Sequence, residues 1–317
     1  MRSVPLDGAL LLFDRDEGWN VRIEDERTRG LRMRAPRAIQ FAITNRCNLA
    51  CGFCSRDASS ESTWTIDTAL DLLGALAREG VLEVAFGGGE PFAFRGIEEL
   101  IVRLHQETPL AVSLTTNGML LDRARLRAIQ GRYGQIRVSL YEDPDARPTI
   151  AMLAEERARF GVNWLLTPAR LAGLDRTVLE LAALGCRDVL VLAYKGPDPS
   201  LHLDRAQVDD AAQRIARLSR ALAGRMQLGL DVCWGSRMSA VPQILRGEDC
   251  GAGRDFLVIT SDRRVSPCSF HHRSWPIASA EDVLAVWRRE RDGLGDRARV
   301  DGCPRPTRSL PVVQEAP

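Results

Sequence analysis

From Ala38 onward, short apolar runs of β character alternate with longer amphipathic segments. Six runs read as strands: Ile39 to Thr44, Leu82 to Phe86, Leu110 to Thr115, Ile136 to Leu140, Val162 to Leu166 and Val189 to Tyr194. Between the first two, Ile66, Leu70, Leu73 and Ala77 recur at three-to-four spacing and Gly80 closes the segment, which predicts a helix; others start near Ile97, Asp122, Pro148 and Asp175. Six strand-then-helix units in a row, each with a right-handed crossover, predict an α/β fold. Its parallel sheet, with helices outside, would curl into a partial (β/α)6 TIM-like barrel, with its chemistry at the carboxyl ends of the strands.

The rhythm differs at both ends. Residues 1–37 hold two alternating runs, Ala9 to Phe13 and Trp19 to Ile23, around Asp14-Arg15-Asp16-Glu17-Gly18, which predicts a β-hairpin extension. After a helix from Asp204 to Ala223 come a strand from Met226 to Cys233, a hairpin-like pair at Phe256 to Thr260 and Arg264 to Cys268, and a helix from Ala280 to Arg291. The expected division is therefore an extension (1–37), the barrel (38–225) and a small α+β module (226–317) that ends in a frayed, proline-rich tail.

With 317 residues, 45% of them hydrophobic, the chain can bury a core without disulfide staples. Its net charge of +1 offers no whole-molecule field for a polyanion, which argues against nucleic acid as a partner. No run approaches the ~18 apolar residues of a membrane span, and Ala9 to Phe13 is too short for a signal-peptide core. A cytoplasmic chain is expected, and there a crowding of three among its 8 cysteines points to metal ligation rather than disulfides.

Three of those thiols crowd directly behind the first barrel strand, in Thr44-Asn45-Arg46-Cys47-Asn48-Leu49-Ala50-Cys51-Gly52-Phe53-Cys54. Cys47, Cys51 and Cys54, at C-x3-C-x2-C spacing on a loop, can hold three corners of a cubane iron-sulfur cluster and leave one iron open. Structural zinc is the alternative. It usually wants four ligands in paired sets, and the nearest histidine, His105, sits in an amphipathic helix. The second barrel strand runs into Phe86-Gly87-Gly88-Gly89-Glu90-Pro91-Phe92, where glycines permit close approach of a ligand and Glu90 offers an acceptor to a cofactor ammonium.

The thiol triplet followed one β/α unit later by this loop resembles the radical S-adenosylmethionine (SAM) superfamily, and the resemblance spans roughly residues 38–200. It implies a [4Fe-4S] cluster on Cys47, Cys51 and Cys54 whose open iron takes the amino and carboxylate groups of SAM. It also implies that Phe53 packs near the adenine, that Gly88, Gly89 and Glu90 bind the methionyl end, and that polar residues at later strand ends, with Ser139 and Arg170 as candidates, contact ribose and carboxylate. Tyr141 and Lys195, at the ends of the fourth and sixth strands, are the candidate catalytic groups. Lys195 is the sole lysine in a chain that otherwise uses arginine, and a compact cation at the barrel mouth can approach a ligand closely.

The carboxyl module carries Cys233, Cys250, Cys268 and Cys303, enough for one fully ligated cluster. The region resembles the twitch/SPASM extensions of radical SAM enzymes and implies one auxiliary [4Fe-4S] cluster. Cys233, lying in a β-like run, is the alternative core residue, with His271 or His272 as substitutes. Arg263 stands where the resemblance leads one to expect glycine. Cys186, at a helix end, reads as structural.

The expected function is reductive cleavage of SAM and abstraction of hydrogen from a substrate, making an oxidative change with an external one-electron reductant. A ribosomally made peptide leads as substrate by analogy; a small-molecule metabolite is the alternative, RNA modification ranks third, and a non-catalytic iron-sulfur or zinc regulator is the reading from another class. The amino-terminal hairpin is too short for a usual leader-binding domain, so a separate leader-peptide-recognition protein or an open groove is expected.

Overall fold

A computed structural model describes residues 1–16, 18–54, 56–57, 59–141, 143–238, 241, 250–271 and 273–292. Cys303 and His272 lie outside the described residues.

The first three strands, β1 (Arg2–Leu6), β2 (Ala9–Phe13) and β3 (Asn20–Ile23), form an antiparallel meander in the order β1-β2-β3. The expected hairpin is present as β2 and β3, but a third strand pairs along it, with Pro5 opposite Leu10. Pro5 hides that strand from pattern reading because proline is confined to sheet edges, and β1 is an edge.

Six β/α units follow: β4 (Ala38–Thr44) and α1 (Ile66–Glu79), β5 (Glu83–Gly88) and α2 (Ile97–Glu107), β6 (Ala111–Thr116) and α3 (Arg123–Ile129), β7 (Gln135–Ser139) and α4 (Arg147–Glu155), β8 (Phe160–Leu166) with α5 (Pro168–Leu171) and α6 (Leu174–Ala183), and β9 (Asp188–Ala193) with α7 (Arg205–Ala221). Local chemistry sets their ends. Thr65 and Thr68 form a reciprocal capping box at the start of α1, and Gly80, at φ 121°, closes it.

The remaining strands extend the same sheet at its two edges. β10 (Gln227–Leu230) adds parallel to β9, while β11 (Phe256–Ile259) adds parallel to β4 and is followed antiparallel by β12 (Arg264–Ser266) and β13 (Trp275–Pro276), before α8 (Ala280–Glu290). Among the described residues the result is a curled ten-stranded mixed sheet, a partial barrel with β10 and β13 at the two ends of the strand order. No helix among the described residues is long and apolar enough to cross a membrane.

One face of each barrel strand is apolar and buried under helices, as with Ile39, Phe41 and Ile43 on β4 or Val162, Trp164 and Leu166 on β8. The other face carries polar or small residues on β4 to β7, such as Gln40, Ser113, Gln135 and Arg137, and is mixed on β8 and β9, where Leu165, Leu190 and Leu192 join Asn163 and Asp188. Near the amino ends, that face is closed by a network. Gln135 Nε2 and Arg137 Nη2 both donate to Asp188 Oδ2, at 2.8 and 2.6 Å, and the Ser113 hydroxyl donates to Glu83 Oε1 at 2.7 Å. Burial raises the Glu83 carboxyl, opposed by the Ser113 bond and by Arg137.

The strand expected over Met226 to Cys233 is shorter than its pattern suggests. Asp231 ends it by accepting the Cys233 N–H at 3.1 Å, and Val232–Met238 turns into a short 3-10 segment. Buried Trp234 pins that turn, donating to the Val191 carbonyl at 2.9 Å. Aspartate and tryptophan, both with a local or tertiary hydrogen bond to make, override the β pattern of their neighbours.

Candidate active site

The carboxyl end of β4 delivers the thiol loop, and a buried asparagine locks its start. The Asn45 N–H donates to Ser62 Oγ at 2.7 Å, and its side-chain amide donates to the carbonyls of Asp57 and Ser60 at 2.8 and 2.6 Å. Arg56 closes the loop from the far side, donating to the Asn45 carbonyl at 2.5 Å. Neither role was legible in the motif, because both depend on where the loop folds back. Cys47, Cys51 and Cys54 are free thiols.

The loop after β5 docks on this one. Gly89 N–H donates to the Thr44 carbonyl and Glu90 N–H to the Arg46 carbonyl, both at 2.8 Å. A Cβ on Gly89 would lie 2.1 Å from the Arg46 carbonyl oxygen, and one on Gly88, at φ 100°, would lie 2.6 Å from Ala42 Cβ. The α-carbons of these two glycines therefore face the segment Ala42 to Arg46, while both residues also line the cavity. Open space for a ligand is found at Gly87, where a Cβ would meet nothing within 4 Å.

Glu90 is 1% exposed and its carboxylate is already engaged. It accepts from the Thr116 hydroxyl and the Asn117 N–H at 2.7 Å each, and from the Phe92 N–H at 3.1 Å. Burial raises its pKa, and these three bonds oppose the rise. A carboxylate has about four acceptor positions, so one remains for a ligand. Asn117 in turn donates to Asn48 Oδ1 at 2.8 Å and lies 3.9 Å from Cys47 Sγ, which carries the order of the third strand end into the thiol loop.

The fourth strand supplies Ser139 and Tyr141. Both line the space in front of the thiols, and the Tyr141 ring lies 5.5 Å from that of Phe53. Burial pushes the Tyr141 phenol up to about 12, so it is a donor across the physiological range. The Cys51 thiol is raised by burial, then by Cys54 and Cys47, with the Tyr141 hydroxyl opposing.

All of these groups line one cavity of about 240 Å³: the three thiols, Phe53, Gly87 to Glu90, Asn117, Ser139 and Tyr141. Among the described residues no three His, Cys, Asp or Glu side chains converge as donors to a single metal ion. The three thiols share the wall of this cavity, and three cysteines on one loop can hold three corners of a cubane cluster.

Arg170 does not line this cavity; it sits on α5 and donates to the Leu165 carbonyl at 3.1 Å. Lys195 does not line it either. Its ammonium pairs with Asp231 at 2.5 Å and lies 4.9 Å from the centre of the Phe270 ring. Cys233, Cys250 and Cys268 are half-buried, placed after β10, before β11 and after β12. Arg263, where glycine was expected, does adopt the left-handed conformation, at φ 60°; its guanidinium stacks 4.3 Å over Trp64, which helps offset the backbone cost. Cys186 is structural as read, 1% exposed with Sγ on the Asp188 carbonyl at 3.3 Å.

An open parallel half-barrel with a thiol triplet behind its first strand and a glycine-glutamate loop behind its second defines a radical SAM enzyme. The chain belongs to the radical SAM superfamily, whose family profile matches residues 41–141. It is 40% identical over 284 residues to the PqqA peptide cyclase of Rhodopseudomonas palustris, covering 80% of this chain and 74% of that one. A GTP 3′,8-cyclase of Chlorobaculum tepidum is 35% identical over 106 residues, 32% of each chain. In fold, the chain matches Streptococcus suis SuiB bound to S-adenosylmethionine with a TM-score of 0.68 at 17% identity, over 84% of this chain and 67% of SuiB. Membership brings with it a [4Fe-4S] cluster and SAM as cofactors.

Proposed function

We propose that the chain oxidatively modifies a ribosomally made peptide in the cavity at the carboxyl ends of β4 to β7. One observation carries the reading: Cys47, Cys51 and Cys54 share a wall with Gly87, Glu90, Ser139 and Tyr141, so a cluster on the thiols would face a sulfonium donor held by the other strand ends. The peptide is supported by the 40% identity to a PqqA peptide cyclase along most of both chains.

Together, a reduced cluster and SAM supply a one-electron route to a hydrogen-abstracting radical. This chain's residues bind and orient. Phe53, against Tyr141, offers an aromatic face to the adenine; the open side of Gly87 and the remaining acceptor position of Glu90 suit the methionyl ammonium; Ser139 suits the ribose. Arg170 and Lys195, away from the cavity, are not assigned to SAM in this reading. An auxiliary cluster on Cys233, Cys250, Cys268 and Cys303 would take the electron left on the substrate. A chain of contacts supports that grouping: Phe270, two residues beyond Cys268, meets Lys195, Lys195 pairs with Asp231, and Asp231 accepts the Cys233 N–H. An external reductant and a separate leader-binding protein complete the set of partners.

Anaerobic reconstitution tests the reading. The full chain should bind about eight irons, as two cubanes require, and a Cys47/Cys51/Cys54→Ala variant about half that. It should release 5′-deoxyadenosine from SAM and remove a pair of hydrogens from a cognate precursor peptide. Full iron retention by the triple variant would end the cluster assignment, and turnover of GTP in place of any peptide would end the substrate assignment.

A further inference from the structure

At the opposite end of the barrel from the thiols lies a second cavity, of about 290 Å³, between the β2–β3 turn and the amino ends of β6, β7 and β8. The turn is clasped there. Arg15 Nη1 donates to the carbonyls of Thr108 and Leu110 at 2.5 and 3.4 Å, and Arg159 Nη2 donates to the Asp16 carbonyl at 2.9 Å.

The lining is strongly cationic. Among the described residues, Arg15, Arg132, Arg157 and Arg159 all border the cavity, against one carboxylate, Asp16, which Arg15 Nε already meets at 3.4 Å. No acceptor among the described residues engages the guanidinium of Arg132 or of Arg157. Both follow helix C-termini, where a cation is favoured by the dipole, but that preference does not require four guanidiniums to converge on one hollow. Unrelieved, such convergence costs stability through like-charge repulsion. His105, on the same wall, is lowered by burial and then by Arg15 and Arg132, with Asp16 opposing, which is consistent with a surplus of positive charge.

Arg157 adds an independent sign. It is a non-glycine residue at φ 53°, in the turn where the Ala158 N–H returns to the Leu153 carbonyl at 2.9 Å to close α4. Glycine is the favoured residue in that conformation, so an arginine there keeps a backbone cost for the sake of its side chain.

We propose that this cavity binds a doubly charged oxyanion of the phosphate class, free or as the terminal group of a small phosphorylated metabolite, held by Arg132, Arg157 and Arg159. Because Arg159 also grips the Asp16 carbonyl, occupancy fastens the amino-terminal sheet to the underside of the barrel. The site is independent of the radical chemistry proposed above.

The test is thermal unfolding of the full reconstituted chain in phosphate, glycerol phosphate or chloride at matched ionic strength, with proteolysis of the 14–20 turn followed in parallel. Phosphate should raise Tm and slow cleavage at the turn, and chloride should do neither. Arg132→Ala should weaken phosphate binding about tenfold, the usual scale for losing one charge-assisted contact, with 5′-deoxyadenosine formation unchanged. Arg157→Gly should weaken binding to a similar extent yet raise the Tm measured without phosphate, a pairing that a purely structural arginine would not give. Tighter binding of the monoester assigns the site to a phosphorylated metabolite, and tighter binding of inorganic phosphate to the free ion. An equal rise in chloride, binding of neither anion, or variants that respond like the wild type would overturn the proposal.

Discussion

Lys195 Nζ meets Asp231 Oδ2 at 2.5 Å, with only 12% and 11% of the two side chains exposed, so the single lysine of the chain is held in a shielded ion pair between the ends of β9 and β10. The other carboxylate oxygen holds the Cys233 N–H, and the ammonium rests against Phe270. The pair thus spans from the β10 edge of the open sheet to the segment after β12.

Removing one partner should therefore cost more than an exposed salt bridge would. Lys195→Ala leaves the Asp231 charge shielded and unpaired, which should lower unfolding free energy by about 2–4 kcal/mol, toward the range for buried pairs. A Lys195→Met/Asp231→Asn double variant should recover at least about 1 kcal/mol of the summed losses. Denaturant unfolding of the wild type, Lys195→Met, Asp231→Asn and the double variant measures the coupling, and strict additivity would show that the pair does not act as a unit.

Gly87, near the end of β5, and Gly89, just after it, should separate cleanly. Gly89→Ala drives a methyl into the Arg46 carbonyl, so the thiol loop must shift; iron bound after reconstitution should fall by more than half. Gly87→Ala meets nothing within 4 Å and faces the cavity, so iron should be retained while SAM affinity drops about tenfold. Iron analysis and SAM titration of both variants check this, and equal iron loss in both would contradict the assignment of Gly89 to loop docking.

The contrast among these glycines also shows what pattern reading could and could not reach. Alternation and three-to-four spacing located the six β/α units because each strand has one apolar face and each helix one apolar stripe, a periodic signal within the chain. The thiol triplet was equally legible, since its chemistry depends on spacing within a single loop. What escaped depends on chain segments meeting in space. Gly88 and Gly89 are small because of Ala42 and Arg46, Arg263 is tolerated because of Trp64, and Glu90 is engaged by Thr116 and Asn117 a full β/α unit away. Lys195 stood out by composition, but its partner, Asp231, carried no signal until the fold put β10 beside β9.

Tyr141 offers a spectroscopic test of the proposed cluster. Its hydroxyl opposes the rise of the Cys51 thiol, and a hydrogen bond from it to a ligand sulfur would favour the reduced, more negative cluster. Tyr141→Phe keeps the ring against Phe53 and removes only its hydroxyl. Iron content should be unchanged while the reduction potential falls by some tens of millivolts, on the scale of one neutral hydrogen bond. An unaltered potential with unaltered iron would place Cys51 outside the cluster's ligand set.

Cys186 predicts a pH dependence of stability that no redox chemistry is needed to see. Burial raises its thiol to about 11 from an ordinary 9.0, because the thiolate would sit without solvent beside the Asp188 carbonyl. The folded chain therefore holds this proton more tightly than the unfolded chain does. The resulting stabilisation is complete below pH 9.0 and is lost as pH rises through about 11. A difference in proton affinity of that size is worth roughly 2–3 kcal/mol. Cys186→Ala loses some core packing, about 1 kcal/mol near neutrality, but carries no such slope. The wild type should accordingly be the more stable of the two at neutral pH and the less stable in strong alkali, with the curves crossing between. Urea unfolding of both proteins under argon across this range measures the difference directly, and because every other titrating group is shared, parallel curves would mean that the Cys186 thiol is not shielded as the structure places it.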